Sequence, residues 1–519
     1  MIWGMHAERP MLQARPAVAG ALAGAVGAVV ALGTAELLAG VLPGIPSLVA
    51  SVGRWIIDNQ PPGAKDFMVS LFGTNDKAVL ELVIVAVAFG IGALLGLVAL
   101  RSFRLTSYAF LAFGAVGFFA ALRDPSAVPT FAVLAAATAV AAGIGAVSWL
   151  TGQGRDAPGP TGAVAPSWSR RGFLVRTGTL GLTALVAGGL GRRLIVAREE
   201  TPGAHPTIPQ PGAVVTLPPG ADLAIPDLTP IVVPNGEFYR IDTALIAPSV
   251  DVASWQLRVT GRVDRPVTLR FEELVALPLI EQYVTISCVS NEVGGDLVGN
   301  AKWTGVRLRD VLKMAGVQAG ATQLVGESVD GFTAGMPMAW VMDPAREPMI
   351  AVKMNDEALP KPHGYPARLI IPGLYGYVSA TKWLSELRLT TMEAEDGYWI
   401  PLGWSKEAPI LTQSRIDLPR RGTNPRGKQA IAGIAWAPDR GISKVEVQVD
   451  GGTWQLATLS KPISSTTWVQ WKLDWDPTQG DHTVVVRATD GLGVTQPVDR
   501  TRPDPDGARG WHTRLTTIA

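Results

Sequence analysis

The chain contains a single cysteine, Cys288, and this thiol offers the widest choice of chemistry in the sequence. A lone thiol cannot form an internal disulfide, an iron–sulfur cluster or a tetrathiolate zinc site, because each of these needs further cysteines. Three active roles remain: a nucleophile, a redox sensor, or a single thiolate ligand on a metal. The alternative is a buried structural cysteine, which is a common use of this residue.

The residues around Cys288 favour a ligand site. Residues 283–287 predict a β-strand that ends at the cysteine, and residues 291–299 predict a glycine-rich turn that a ligand could approach closely. Further along, His363, Arg368 and Lys382 flank two Pro/Gly turns and one apolar strand. Cationic and polar donors near turns suit an anionic ligand.

A series of short motifs in a fixed order resembles the molybdopterin-binding domain of the sulfite oxidase family, over residues 238–415. The order of the motifs is more specific than any single one. The matching pieces are Phe238-Tyr239-Arg240, Cys288 with Asn291, Asp330, Met354-Asn355, the segment from His363 to Arg368, Pro372-Gly373, and Lys382-Trp383.

The resemblance implies a molybdenum–molybdopterin cofactor, with Cys288 as the one protein thiolate on the metal beside the two sulfurs of the pterin dithiolene. A soft, anionic thiolate donates electron density to a high-valent metal, which suits the transfer of two electrons with an oxygen atom. The resemblance further implies that a set of residues holds the pterin and its phosphate, namely Arg240, Asp330, His363, Arg368, Ala380, Thr381 and Lys382.

Two positions depart from the family pattern. Sulfite oxidases carry Cys-Ala-Gly-Asn-Arg at the cysteine, and this arginine helps to form the oxyanion pocket, whereas Glu292 follows Asn291 here. The family's active-site tyrosine aligns near Trp404, and tryptophan offers only an N–H donor on a larger apolar ring. Asn291, Glu292 and Trp404 are therefore candidate catalytic residues beside Cys288. Both departures count against sulfite as the substrate.

Residues 1–195 are rich in Ala, Gly, Val and Leu and predict a membrane anchor with five spans. Each span has about 18 to 26 residues, close to the roughly 20 needed to cross a bilayer. If the spans alternate in direction, most of the arginines between them lie on one side of the membrane, and the positive-inside rule predicts that this side is cytoplasmic. Arg192, Arg193 and Arg198, which follow the fifth span, do not obey this rule. The predicted spans are 17–42, 78–100, 105–122, 128–150 and 172–190.

The motif Ser169-Arg170-Arg171-Gly172-Phe173-Leu174 precedes the fifth span and looks like an internal twin-arginine export signal. Such signals carry proteins that fold around a cofactor before they cross the membrane, and the alternative is an ordinary basic flank. Export predicts a multi-pass protein of the cell membrane whose catalytic domain lies on the extracytoplasmic side.

Other residues limit the classes of function. None of the five histidines lies in a predicted span, so a membrane anchor with a bis-His haem is excluded, and neither haem nor an iron–sulfur cluster is expected. The formal net charge of +1 gives no sign of a nucleic acid partner. Glu36 lies in the outer part of the first span, where a functional carboxylate, a snorkelling side chain and an interhelical polar contact are all open.

The remainder of the chain divides into three further parts. Residues 196–234 are rich in proline and predict an extended linker, and residues 235–409 form the predicted α+β molybdopterin domain. Residues 410–519 predict an immunoglobulin-like β-sandwich, with strands at 431–436, 444–449 and 483–487 and a hairpin turn at 450–452. Sulfite oxidase relatives use a similar tail for dimerisation, so the resemblance implies a homodimer. The tryptophans at 436, 454, 468, 471 and 475 could contribute to a dimer surface or to the core of the sandwich.

These observations predict a bacterial-type, membrane-anchored molybdopterin oxidoreductase with a transmembrane helical bundle, an α+β domain and a C-terminal β-sandwich. It would transfer an oxygen atom to or from a small oxo-substrate and exchange electrons with a separate carrier, with lipid around its anchor. Two alternatives are a sulfoxide or N-oxide reductase of the same fold and a non-catalytic binding or sensing module of the cell envelope.

Overall fold

The structure is a computed structural model, and its residues group into two compact units. The first unit is Met1–Thr201 with Thr243–Ile246, and the second is Pro202–Asp242 with Ala247–Ala519. The residues that the structure describes are 16–61, 68, 71–72, 76–124, 127–152, 170–200 and 207–519. Ser169 of the export motif and the arginines at 9, 15 and 155 lie outside these residues.

The first unit is a helical bundle, and five of its helices are long and apolar enough to cross a membrane, as the sequence predicts. Another described helix, α2, was not predicted; it is short and has a buried first half and an exposed second half. The described helices are α1 Pro16–Val41, α2 Leu48–Asp58, α3 Asp76–Ala99, α4 Phe103–Ala121, α5 Pro129–Thr151 and α6 Arg170–Glu200.

Glycine permits very close packing in this bundle. A Cβ atom added to Gly24 of α1 would lie 2.0 Å from the carbonyl oxygen of Gly92 in α3, and one added to Gly40 would lie 2.5 Å from the carbonyl oxygen of Gly191 in α6. Small residues at such crossings let helices associate in lipid, where the hydrophobic effect does not drive helices together.

Two carboxylates of the bundle, Glu36 and Glu81, have polar partners on other segments. Oε1 of Glu36 accepts hydrogen bonds from the Ser47 hydroxyl at 2.7 Å and from the backbone N–H of Val49 at 3.2 Å, at the N-terminus of α2. An interhelical polar contact therefore accounts for Glu36. The Arg192 guanidinium binds both oxygens of Glu81, at 2.5 and 2.8 Å. Arg192 lies in the part of α6 that extends beyond residue 190, where the predicted span ended.

The second unit contains the predicted molybdopterin domain, which has one mixed and one antiparallel sheet together with short helices. One sheet has the strand order β2-β1-β10-β5-β6, with β1 parallel to β10, and the other has the order β3-β4-β7-β8, with β9 beside β7. The strands are β1 Gln256–Gly261, β2 Val267–Arg270, β3 Leu279–Ser287, β4 Val298–Arg307, β5 Gln323–Ser328, β6 Thr333–Pro337, β7 Met349–Met354, β8 Glu357–Ala358, β9 Arg368–Ile370 and β10 Leu384–Thr390. The helices are α7 Phe271–Val275, α8 Leu308–Ala315, α9 Met338–Val341 and α10 Gly376–Ser379, with a 3-10 turn at Lys361–His363.

The C-terminal part consists of two β-sheets, as predicted. Their strand orders are β11-β13-β17-β16 and β12-β19-β18-β14-β15, and the three predicted strands lie within β13, β14 and β18. The strands are β11 Gln413–Leu418, β12 Gly422–Asn424, β13 Gln429–Trp436, β14 Ile442–Val449, β15 Gln455–Leu456, β16 Thr458–Leu459, β17 Val469–Trp475, β18 Gly480–Asp490 and β19 His512–Ile518. We call residues 410–519 the sandwich.

The five predicted sandwich tryptophans have three kinds of surroundings. Trp471 belongs to the sandwich core, and Trp475 packs against it. Trp436 and Trp468 are fully buried in the core cluster of the molybdopterin domain, so they join the two domains. Trp454 is half-buried, and its ring contacts the Trp511 ring with a centroid separation of 5.0 Å. Core packing, rather than an external surface, thus accounts for most of the cluster.

The proline-rich segment differs from the expected tether. Residues 207–234, which we call the strap, are hydrogen-bonded to both domains of the second unit. The Val233 N–H donates to the Asn300 carbonyl at 2.9 Å, and the Thr229 carbonyl accepts from Gln470 Nε2 at 2.8 Å. Because each proline lacks a backbone N–H, the strap forms few hydrogen bonds within itself, and these outside partners satisfy further polar groups of its backbone.

Candidate active site

Cys288 follows directly after β3, and only 8% of it is exposed. Its N–H donates to the Leu297 carbonyl at 2.9 Å, and its own carbonyl accepts from the Asn291 N–H at 3.1 Å. The Asn291 side-chain oxygen accepts from the Leu297 N–H at 2.9 Å. The buried Nδ2 group of Asn291 has no hydrogen-bond partner among the described residues, so the amide retains two donors for a ligand.

Three tyrosines lie near Cys288, and none of them is among the site residues predicted from the sequence, although Tyr239 belongs to the Phe238-Tyr239-Arg240 motif. Tyr375 and Tyr377 lie at the start of α10, on either side of Gly376. A Cβ atom added to Gly376 would lie 3.8 Å from both the Tyr239 hydroxyl and the Ser287 carbonyl oxygen. Burial raises the pKa of all three phenols well above the usual range, and the Cys288 thiolate adds to this effect, so the phenols stay neutral. The sequence signal was the Tyr-Gly-Tyr triplet.

Three cationic side chains, those of Arg240, Arg368 and Lys382, form a cluster near the carboxylate of Asp242. The Lys382 ammonium lies 2.8 Å from Oδ2 of Asp242, and Arg240 Nε lies 3.0 Å from the same oxygen. Arg368 Nη1 donates to the His363 carbonyl at 3.0 Å, and its guanidinium lies 5.0 Å from the centre of the Trp303 ring.

The pKa values in this cluster reflect burial and crowding of positive charge. Burial lowers the pKa of Arg368 to about 10 and that of Lys382 to about 8, although Asp242 partly opposes the change at Lys382. Burial, followed by the charge of Arg368, lowers the pKa of His363 to about 4, so its imidazole is neutral at pH 7. Such a cluster favours an added anion, which would relieve the repulsion.

A buried donor supports this interpretation. Nε of Arg368 has no hydrogen-bond partner among the described residues, and a buried charged donor without an acceptor is costly. The pterin phosphate of the molybdenum cofactor would supply both the acceptor and the negative charge. The residues present therefore fit the anionic end of that cofactor, and the buried thiol and free amide beside Cys288 fit its metal end.

The other predicted cofactor residues lie next to the cluster. The Ala380 carbonyl accepts from Arg368 Nη2 at 3.5 Å, and the Thr381 hydroxyl is fully buried and donates to the Gly326 carbonyl at 3.4 Å. Asp330 lies in the turn after β5 and accepts from the Phe332 N–H at 3.1 Å. The Val329 N–H donates to the Trp383 carbonyl at 2.8 Å, which brings this turn beside Lys382.

The two departures from the family pattern have different surroundings. The side chain of Glu292 is 72% exposed, and its Oε2 lies 3.8 Å from Arg500 Nη2 of the sandwich. The carboxylate is therefore solvated and partly compensated, in contrast to a carboxylate buried against a substrate. Trp404 is half-buried, and its ring centre lies 6.0 Å from that of Tyr377, so it lies near the tyrosines around Cys288.

Comparisons with known proteins agree with this arrangement. Residues 244–399 match the model of the oxidoreductase molybdopterin binding domain, and residues 411–503 match that of the Mo-co oxidoreductase dimerisation domain. The mitochondrial sulfite oxidase of Homo sapiens is 30% identical over 290 residues, which is 47% of this chain and 52% of that protein. Nitrate reductase [NADH] 1 of Oryza sativa subsp. japonica is 28% identical over 48% of this chain and 34% of that protein.

Among solved structures, the sulfane dehydrogenase SoxCD from Paracoccus pantotrophus is similar, with 24% identity and a TM-score of 0.49 over 60% of this chain and 90% of that one. The chain spans about half the length of the human sulfite oxidase that it matches. The sequence matches coincide with the domain around Cys288 and with the sandwich. The chain is therefore similar to molybdopterin oxidoreductases over residues 244–399 and to their dimerisation domain over residues 411–503, and similar to sulfite oxidase over about half of that protein.

Proposed function

We propose that this chain is a membrane-anchored molybdenum oxidoreductase that transfers an oxygen atom to or from a small oxo-substrate and exchanges electrons with a separate carrier. The observation that carries the proposal is the placement of the lone buried thiol of Cys288 in the same domain as a cationic cluster, in which Arg368 and Lys382 are largely buried and Arg240 is exposed. The molybdenum cofactor, when bound, supplies the exchange of two electrons with an oxygen atom.

Each group has a separate role in this proposal. The Cys288 thiolate is the protein ligand of the metal, and the neighbouring Asn291 amide donates hydrogen bonds into the same space. Arg240, His363, Arg368 and Lys382 bind the pterin and its phosphate, together with Asp330, Ala380 and Thr381. The phenols of Tyr239, Tyr375 and Tyr377 remain protonated and exclude water from the thiolate.

The surroundings of Cys288 favour a neutral substrate over a small dianion. Tyr375, Tyr377 and Trp404 supply aromatic surface and no charge near the thiol. Glu292 replaces the arginine that sulfite oxidases have at this position, so a cation is lost, although the exposure of Glu292 weakens the repulsion that it exerts. A sulfoxide or an N-oxide, reduced in the reverse direction, therefore suits the site better than sulfite.

The location proposed for the enzyme is the cell membrane, with the second unit on the extracytoplasmic side. Five apolar helices support membrane insertion, and the distribution of arginines together with Arg170-Arg171 supports the orientation. The match to a dimerisation domain supports a homodimer through the sandwich.

Metal analysis and kinetics test the proposal. About one molybdenum per chain is expected in the purified protein, whereas a metal-free and pterin-free protein would favour a non-catalytic binding module. Steady-state assays should compare sulfite, using an oxidising dye, with sulfoxides and N-oxides, using a reduced dye. Sulfite oxidation with a kcat/KM of about 10⁵ M⁻¹s⁻¹ or more would contradict the proposed preference.

A further inference from the structure

The sandwich contacts the chain just before Cys288. The Thr285 N–H in β3 donates to the Thr466 carbonyl at 3.0 Å, and the Thr466 hydroxyl donates to the Tyr283 carbonyl at 3.1 Å. The Trp468 N–H donates to the Thr285 hydroxyl at 2.8 Å. Three hydrogen bonds therefore fix the last residues of β3 to the sandwich.

Arg415 of β11 contacts the chain just after Cys288. Its Nη1 donates to the Gly295 carbonyl at 2.9 Å, while Nε binds Asp417 at 2.7 Å and Nη2 donates to the Thr229 hydroxyl at 2.6 Å. The Arg415 side chain is only 11% exposed, and the three bonds use its three nitrogens. The guanidinium is thus held rigidly when it binds the turn.

Two other sandwich residues contact the same turn. Gly294 has a φ of +81°, and a Cβ atom added there would lie 2.4 Å from the imidazole of His512, so the ring packs directly on the backbone. His512 is fixed in turn, because its Nδ1 accepts from the Ile416 N–H at 2.9 Å. Arg500 Nη2 lies 3.5 Å from the Val293 carbonyl oxygen, in addition to its ion pair with Glu292.

A displacement of this turn would change the position of the Cys288 thiol. Gly295 donates to the Glu292 carbonyl at 2.8 Å, and the turn then leads to Leu297, which binds both the Cys288 N–H and the Asn291 side chain. The backbone of Cys288 thus has sandwich contacts at residues 283–285 on one side and at residues 293–295 on the other.

We propose that Arg415, Arg500 and His512 are positioning residues that fix the direction of the Cys288 thiol, so that the sandwich is a structural part of the catalytic site. The inference rests on the proposed role of Cys288 as a metal ligand. It gives the sandwich a function within one chain, in addition to any role in dimerisation.

The first test needs no metal, because Cys288 is the only thiol in the chain. The full-length protein is purified in detergent from a strain that cannot make molybdopterin, and the rate of alkylation by iodoacetamide is measured. Arg415→Met and His512→Asn should each raise the rate by about tenfold or more, because the turn that shields the thiol loses a hydrogen bond or a packing partner. Arg500→Gln should give a smaller rise.

Arg487→Gln is the matched control. Arg487 lies on β18 of the same domain and pairs with Glu446 at 3.0 Å, but none of its described contacts is to residues 283–295. To separate positioning from loss of stability, each variant is alkylated at the same number of degrees below its own Tm. If Arg415→Met does not fold, Arg500→Gln decides the result, because that side chain is 60% exposed. Alkylation rates equal to that of Arg487→Gln would overturn the proposal.

A second readout separates positioning from stability in the loaded protein. The Mo(V) electron paramagnetic resonance spectrum of the partly reduced protein depends on the orientation of the thiolate ligand. Arg415→Met should shift this spectrum, Arg415→Lys should shift it less, and Arg487→Gln should leave it unchanged. If the alkylation rates change but no molybdenum is bound, the positioning inference stands and the proposed enzyme function fails.

Discussion

The Lys382 ammonium lies 2.8 Å from Oδ2 of Asp242, and that carboxylate also binds Arg240. One carboxylate is thus shared by two cations, and the buried Arg368 adds a third cation nearby. The three cations and one carboxylate leave a net charge of +2 that a bound phosphate would balance. The cluster therefore provides a direct way to test how the cofactor is held.

Binding of the pterin should weaken as pH rises through about 8, the pKa of Lys382. Below this pH the Lys382 side chain is charged and attracts phosphate, and above it the attraction is lost. A bound anion will itself raise that pKa, so the midpoint in the loaded protein should lie higher. The measurement is pterin retained after dialysis across pH 7 to 10. Lys382→Arg should keep pterin at the alkaline end, whereas Lys382→Gln should lose it at every pH.

Replacement of Cys288 by serine should abolish turnover and leave the protein folded. A hydroxyl is a hard, weakly acidic group and cannot replace a thiolate on a soft metal site. Some pterin should remain, because Arg368 and Lys382 are unchanged. Activity, molybdenum content and the melting temperature are measured together. Ser249→Ala, at an exposed serine of the same domain, is the control, and unchanged turnover in Cys288→Ser would remove the thiol from the mechanism.

The stability of the second unit should fall as the pH drops from 6.5 to about 4. Burial lowers the pKa of both His363 and His512 to about 4, so in this window the unfolded chain takes up protons that the folded chain does not. The free energy of unfolding therefore rises with pH here, by up to roughly 3 kcal/mol for each histidine. Denaturant unfolding at several pH values measures it.

Substitution of single histidines checks this assignment. His363→Gln should reduce the pH dependence between 4 and 6.5. His482 provides a contrast, because its hydrogen bond to Asp450 raises its pKa and its contribution to stability is lost as the pH increases. His482→Gln should therefore destabilise the protein more at acidic pH than at alkaline pH. The assignment fails if His363→Gln leaves the slope unchanged.

Protease added to intact spheroplasts should release the second unit as one fragment. The strap is hydrogen-bonded to the other domains of the second unit from about residue 215 onwards, so cleavage is expected on the N-terminal side of residue 215. N-terminal sequencing of the fragment locates the cut. Replacement of Arg170 and Arg171 by lysine should keep the fragment inside, and release only after lysis would reverse the proposed orientation.

Much of the architecture could be predicted because the signals were local. Five apolar stretches, the β-strand before Cys288 and the hairpin at Asp450 each depend on residues close in sequence. The helix α2 was missed, because its polar N-terminus is stabilised by Glu36, eleven residues earlier. The strap was predicted as a tether because its partners, such as Asn300 and Gln470, are distant in the sequence.

The site was predicted to a similar extent and for similar reasons. The cationic residues could be placed by their motifs, but the sharing of Asp242 by Arg240 and Lys382 depends on a tertiary contact between residues 140 positions apart in the sequence. The tyrosines around Cys288 carry no charge and therefore gave no electrostatic signal. Glu292 was expected to face the substrate, and its pairing with Arg500 of another domain could not be inferred from neighbouring residues.

The contacts of the strap also determine which residue should begin a fragment expressed without the helical bundle. A soluble fragment that starts at residue 235, where the sequence pattern places the domain, would remove the partners of Asn300, Gln470 and Arg415. Each of these buried groups would lose a hydrogen bond, and Arg415 is the residue that binds the turn after Cys288. A fragment that begins at residue 207 keeps all three contacts and is the better choice for crystallisation.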